Sequence, residues 1–181
     1  MRRHLILIAV CALVATPAAA LDMPARKPGL WELKMTFEQP KLPSHVIQQC
    51  TDAASDRLMN SNFGGAAQQK CRKQDVHKTG DTMTVDSVCA FGGATSTTHA
   101  VISGSFDSAY TVQVTTTREG GPPMPGGIGS RGEIHMAVAA KWLGPCGKGQ
   151  RPGDIMMGNG MTLNVLDLRK MHPPPRPRPP Q

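Results

Sequence analysis

The chain has 181 residues, 39% of them hydrophobic and 18% charged, with a formal net charge of +7. A nucleic-acid binder carries its basic residues on the folded domain. Here Arg2 and Arg3 open the chain, Arg169, Lys170, Arg176 and Arg178 close it, and Leu21 to Leu168 sets fourteen Lys and Arg against thirteen Asp and Glu, which excludes nucleic acid as the expected partner.

Met1-Arg2-Arg3-His4 is a short basic start, Leu5 to Ala15 is an apolar run, Pro17 breaks it, and Ala18-Ala19-Ala20 supplies small side chains. These are the parts of a secretory signal, and cleavage is expected after Ala20. A membrane-spanning helix needs roughly 20 apolar residues, and neither this run nor any later one is that long. Cys11 lies inside the signal and follows Val10, where a lipid-attachment motif requires a small residue. The mature chain is therefore expected in the periplasm or secreted, not spanning the membrane, as a single domain over 21–168.

Trp31, Leu33, Met35 and Phe37 alternate with Glu32, Lys34, Thr36 and Glu38, the period of a half-buried strand. Val46 to Cys50 reads as a short second strand. Thr51 or Asp52 caps one helix, which Gly64-Gly65 ends. Cys71 to Lys78 and Thr82 to Phe91 form a hairpin, with Met83, Val85, Ser87, Cys89 and Phe91 on one face. Ala94 to Gly104 follows, then a turn at Phe106 to Ser108, then a strand carrying Tyr110, Val112 and Val114. Gly120 to Gly132 is a Gly/Pro loop. Ile134, Met136, Val138, Ala140 and Trp142 form the next inward face, Gly144 to Gly160 reads as turns, and Met161 to Leu168 as a last strand. Residues 169–181 are expected to be a disordered Pro/Arg tail. The predicted fold is mainly β: an antiparallel meander sheet of six or seven strands, curved or a half-barrel, with one short α-helix after the second strand.

Cys50, Cys71, Cys89 and Cys146 remain after signal removal, and an even number in an exported chain reads as two disulfides. Cys71 and Cys89 are symmetric about Gly80. A three-residue loop there sets them face to face, which pairs Cys71 with Cys89 and leaves Cys50 for Cys146. A metal or redox role would call for C-x-x-C spacing, which the sequence lacks.

Pro28-Gly29-Leu30-Trp31-Glu32, Cys50-Thr51, the Cys71/Cys89 hairpin, Gly144-Pro145-Cys146 and Pro152-Gly153-Asp154 occur in order. Together they resemble the bacterial secreted proteins catalogued as domain of unknown function 3617, over roughly Pro28 to Asp154. The resemblance implies export and a compact disulfide-bearing β domain, and it implies no activity.

No nucleophile elbow, zinc-protease helix motif or phosphate loop is present. Asp75, Asp81 and Asp86 surround one hairpin, and turn chemistry and a solvated sheet edge account for them. His99, His135, Met156, Met157 and Met161 are the candidate ligands for a soft metal such as copper, although gap-filling methionines and exposed loop residues account for the same pattern. No cofactor is expected. The leading expectation is a non-enzymatic module that binds a small ligand, an envelope component or a protein. Periplasmic copper binding is the alternative, and an enzyme ranks below both.

Overall fold

The computed structural model describes residues 24–63, 70–123 and 131–171. The expected signal with its Ala20 junction, Gly64-Gly65, the centre of the Gly/Pro loop and the expected tail from residue 172 lie outside the described residues.

Nine strands form one open sheet: β1 (Gly29–Gln39), β2 (Leu42–Thr51), β3 (Lys70–Thr79), β4 (Thr82–Phe91), β5 (Ala94–Ser105), β6 (Ala109–Gly120), β7 (Arg131–Gly144), β8 (Asp154–Met157) and β9 (Thr162–Asn164). The helices are α1 (Ala53–Phe63), between β2 and β3, and α2 (Val165–Met171), after β9. The strand order is β3-β4-β5-β6-β7-β1-β2-β8-β9, and every pairing is antiparallel. The chain starts mid-sheet and steps outward to β2. It then crosses by α1 to the far edge and meanders back until β7 lies beside β1.

Two tight turns set the meander's register. Thr79 pairs with Thr82 around Gly80-Asp81, and Gly80 has φ 58° while Asp81 does not turn positive. That is the type II′ pattern, with glycine first. Phe91 pairs with Ala94 around Gly92 (φ 56°) and Gly93 (φ 79°), the type I′ pattern. The first loop is thus two residues long, where the symmetry about Gly80 predicts three. A two-residue loop alone would set Cys71 opposite Ala90. The register shifts by one between Cys71 and Lys73, and this bulge brings Cys71 opposite Cys89.

Both disulfides form as the spacing predicts: Cys71–Cys89, with an S–S distance of 2.11 Å, and Cys50–Cys146, at 2.01 Å. The second joins the end of β2 to the segment after β7. β1 lies between those two strands, so the bridge ties both of its neighbours together at one end.

The C-terminal part departs from expectation. Asp154–Met157, expected as turn, is a strand paired with β2 through Ile47↔Met157 and Gln49↔Ile155. The last expected strand is only Thr162–Asn164, and α2 follows it through Met171, into the expected tail. Asn164 explains the switch, because its Oδ1 accepts from the backbone N–H of Leu166 (3.0 Å) and Asp167 (3.3 Å), as a helix cap does.

Asp52 caps α1. Its Oδ1 accepts from the N–H of Ala54 (3.1 Å) and Ser55 (2.7 Å), and the Asp52 N–H donates back to Ser55 Oγ at 2.9 Å. The Ser55 backbone and side-chain hydrogen bonds hold the Asp52 carboxyl below its ordinary value. A depressed folded-state value means the stabilisation is present above the unfolded value, near 3.9, and is lost as pH falls through the folded one. Asp52→Ala is therefore expected to cost about 1 kcal/mol at neutral pH. The difference in urea midpoint between variant and wild type should close in acid; a difference unchanged between pH 7 and pH 3 contradicts the cap.

Candidate ligand-binding face

Register and side-chain alternation divide the sheet into two faces. One is polar, with Glu32, Lys34, Asp86, His99, Thr115 and Glu133 at its positions. The other carries two unbroken apolar rows across five strands. The first row is Met83–Ile102–Val112–Val138–Met35, and the second is Val85–Ala100–Val114–Met136–Phe37. A third, shorter row is Tyr110–Ala140–Leu33–Ile47.

The helices seal only part of this face. Their main contacts are with each other, β2 and β9. The sealed core cluster is Met59, Ile155 and Val165, with Ile47, Leu58 and Leu166 packed against it. Of the ten residues in the two long rows, Met83 and Ile102 are buried. The other eight are half-buried, so the widest apolar surface of the sheet is not closed into a core.

The helix end is fixed by a buried ion pair. Arg26 Nε lies 2.6 Å from Asp56 Oδ1, and the Arg26 backbone N–H donates to Asp56 Oδ2 at 3.0 Å. The guanidinium also lies 5.8 Å from the Trp31 ring centroid. Phe106 stacks on Tyr110 at 4.7 Å, and Trp31 tilts against Tyr110 at 5.6 Å. Burial pushes the Tyr110 hydroxyl above its ordinary value, an effect that Arg26 opposes. Lys27 Nζ sits 3.8 Å from the Trp142 ring centroid, and Trp142 Nε1 donates to the Pro28 carbonyl at 3.1 Å. The segment before β1 thus straps α1 to an aromatic end of the sheet. Gln49 lies in the row Trp31–Gln49–Ile155. It is 3% exposed, and its Oε1 has no hydrogen-bond partner among the described residues.

The sequence-derived metal candidates are spread out. His99 on β5 and His135 on β7 share the polar face with β6 between them, which puts their strands about 10 Å apart. Met156 and Met157 are neighbours on β8 and point to opposite faces, three strand positions beyond β7. Met156 Sδ accepts from Gln150 Nε2 at 3.0 Å, and Met161 is 50% exposed after the β8 turn. Among the described residues no group of three or more His, Cys, Asp or Glu is gathered for a metal ion.

The polar face instead carries paired side chains. His99 Nδ1 lies 2.8 Å from Asp86 Oδ1, His135 Nε2 lies 2.5 Å from Glu133 Oε1, and Lys73 Nζ lies 3.1 Å from Asp75 Oδ2. Asp75 and Asp86 are cross-strand partners, and each is held by a cation or imidazole neighbour. Sequence reading missed the Arg26–Asp56 pair and Gln49. Nothing local marks either, since the ion pair joins residues 30 positions apart.

An open, disulfide-stapled antiparallel sheet with a helix pair over one side defines the class. The family described as "Protein of unknown function (DUF3617)" matches residues 26–146, and the chain belongs to it. No curated protein and no solved structure matches the chain. The matched span runs from the buried Arg26 to Cys146 of the long-range disulfide. Among the described residues no helix is long and apolar enough to cross a membrane.

Proposed function

We propose that this is an exported, non-enzymatic binding module that holds the acyl part of an amphiphile against the apolar face. Secretion follows from the signal at residues 1–20 and suits a domain with two disulfides. The observation that carries the binding proposal is the pair of five-strand apolar rows left half-buried beside a small sealed core. A contiguous apolar patch of that size is often functional.

Size favours a lipid tail over a protein. Five strands give four spacings, about 19 Å, and three rows add about 14 Å along the strands. That footprint is roughly 300 Å², against about 800 Å² that each partner gives to a stable protein interface. An extended acyl chain matches the long dimension.

The test is displacement of a fluorescent fatty acid by oleate from the mature protein. Val138 is central to the first row, and Val138→Glu is expected to weaken oleate binding at least tenfold. Val101 lies on β5 with its side chain on the polar face, so Val101→Glu is expected to leave binding unchanged. Far-UV circular dichroism confirms the fold of each variant. Equal oleate affinity in both variants, or no oleate uptake by the wild type, overturns the proposal.

A further inference from the structure

We infer that the ligand is a singly charged, anionic amphiphile lying across the strands, with its headgroup at Lys78 on the free β3 edge and its tail end at Met35, beside the sealed core. This rests on the acyl-binding proposal and adds ligand class and orientation to it.

Both apolar rows continue one strand further on the side away from the helices. Lys78 pairs with Met83 and Val76 with Val85, so β3 extends the first row by a lysine and the second by a valine. β3 is the last strand of the sheet on that side. At the other end the rows reach Met35 and Phe37 on β1. The adjoining pair Leu33–Ile47 leads from there to the packed cluster of Met59, Ile155 and Val165. His45 lies past Met35 on β2 and is the competing position for a head. The first row thus starts at a cation on an open edge and ends beside packed apolar side chains. An amphiphile along it gains most with its tail end toward that packing and its charge left in water at the edge.

Lys78 is exposed, and among the described residues its ammonium forms no ion pair. Asp75 and Asp86 lie on the polar face, where Lys73 and His99 hold them, and Asp81 in the adjoining turn makes no ion pair with it. The N–H donors of the ammonium are therefore open to a ligand oxygen. From β3 to β1 the two rows contain no other charged residue, and a lone positive charge suits a singly charged head such as a carboxylate. Lys78 and Met35 are five strand spacings apart, about 24 Å. That is the reach of an extended long-chain acid, in the direction of the rows themselves.

The test measures oleate and oleyl alcohol, which share a tail and differ in the head, against charge variants. Lys78→Gln is expected to weaken oleate binding about threefold and Lys78→Glu about tenfold, as exposed charge pairs do, with the alcohol unchanged. Lys34 is an exposed lysine on the polar face, so Lys34→Glu makes the same change in net charge and is expected to leave both affinities as they are. Retained alcohol binding also shows that the apolar face is still formed. For orientation, stearate spin-labelled near its carboxylate is expected to broaden the Met83 methyl NMR signal more than that of Met35, and stearate labelled near its methyl end the reverse. An equal loss of oleate in Lys78→Glu and Lys34→Glu, or an equal loss of both ligands in Lys78→Glu, overturns the headgroup assignment alone. The opposite order of broadening places the head at His45 and overturns the orientation. Failure of both ligands to bind the wild type overturns the acyl-binding proposal itself.

Discussion

Asp56→Ala is expected to destabilise the domain by about 3–5 kcal/mol, because it strands the buried Arg26 charge without its partner. The Asp56 side chain is 0% exposed and that of Arg26 is 3% exposed, so neither charge has water to fall back on. A domain of this kind is stable by about 5–15 kcal/mol in all, which makes this loss large enough to read directly from a urea midpoint. The pair is a fastening more than a source of net stability. Replacing both residues together, Arg26→Met with Asp56→Leu, is expected to recover most of the loss, since apolar substitutes avoid the desolvation cost. A change below about 1 kcal/mol in Asp56→Ala contradicts the pair's role in holding α1 to the aromatic end of the sheet.

Removing Cys50–Cys146 is expected to cost more than removing Cys71–Cys89. The bridges have sequence separations of 96 and 18. In the chain-entropy account the longer loop contributes about 4–5 kcal/mol and the shorter about 3 kcal/mol. The structure adds a reason for the same ranking. Cys71–Cys89 reinforces two strands that a tight turn already joins, whereas Cys50–Cys146 ties the two neighbours of β1 together. Urea midpoints of Cys50→Ala with Cys146→Ala, and of Cys71→Ala with Cys89→Ala, settle the order. A larger loss from the hairpin bridge contradicts it.

The sheet was legible where one face is apolar and the other is wet. Trp31 to Glu38 and Ile134 to Trp142 alternate cleanly because each strand has one polar side, and the observed faces follow that alternation. Legibility failed where length or context decides. β8 is four residues among turns, too short for a period to register. α2 depends on the Asn164 cap overriding what reads as a strand. The correct Cys71–Cys89 pairing also conceals two compensating shifts, a shorter turn and a bulge, that no symmetry argument separates. The candidate face was half visible: its inward residues could be named strand by strand. Only the strand order shows that they join into two rows and that the helices seal just the part of the same face near β2 and β9.

The most direct test of the central proposal is native mass spectrometry of the protein purified from its native cells without detergent, followed by solvent extraction. The expected result is a discrete adduct whose extracted mass identifies an acyl-bearing amphiphile, which Val138→Glu fails to retain. A bare protein mass, together with no uptake of added oleate, contradicts it.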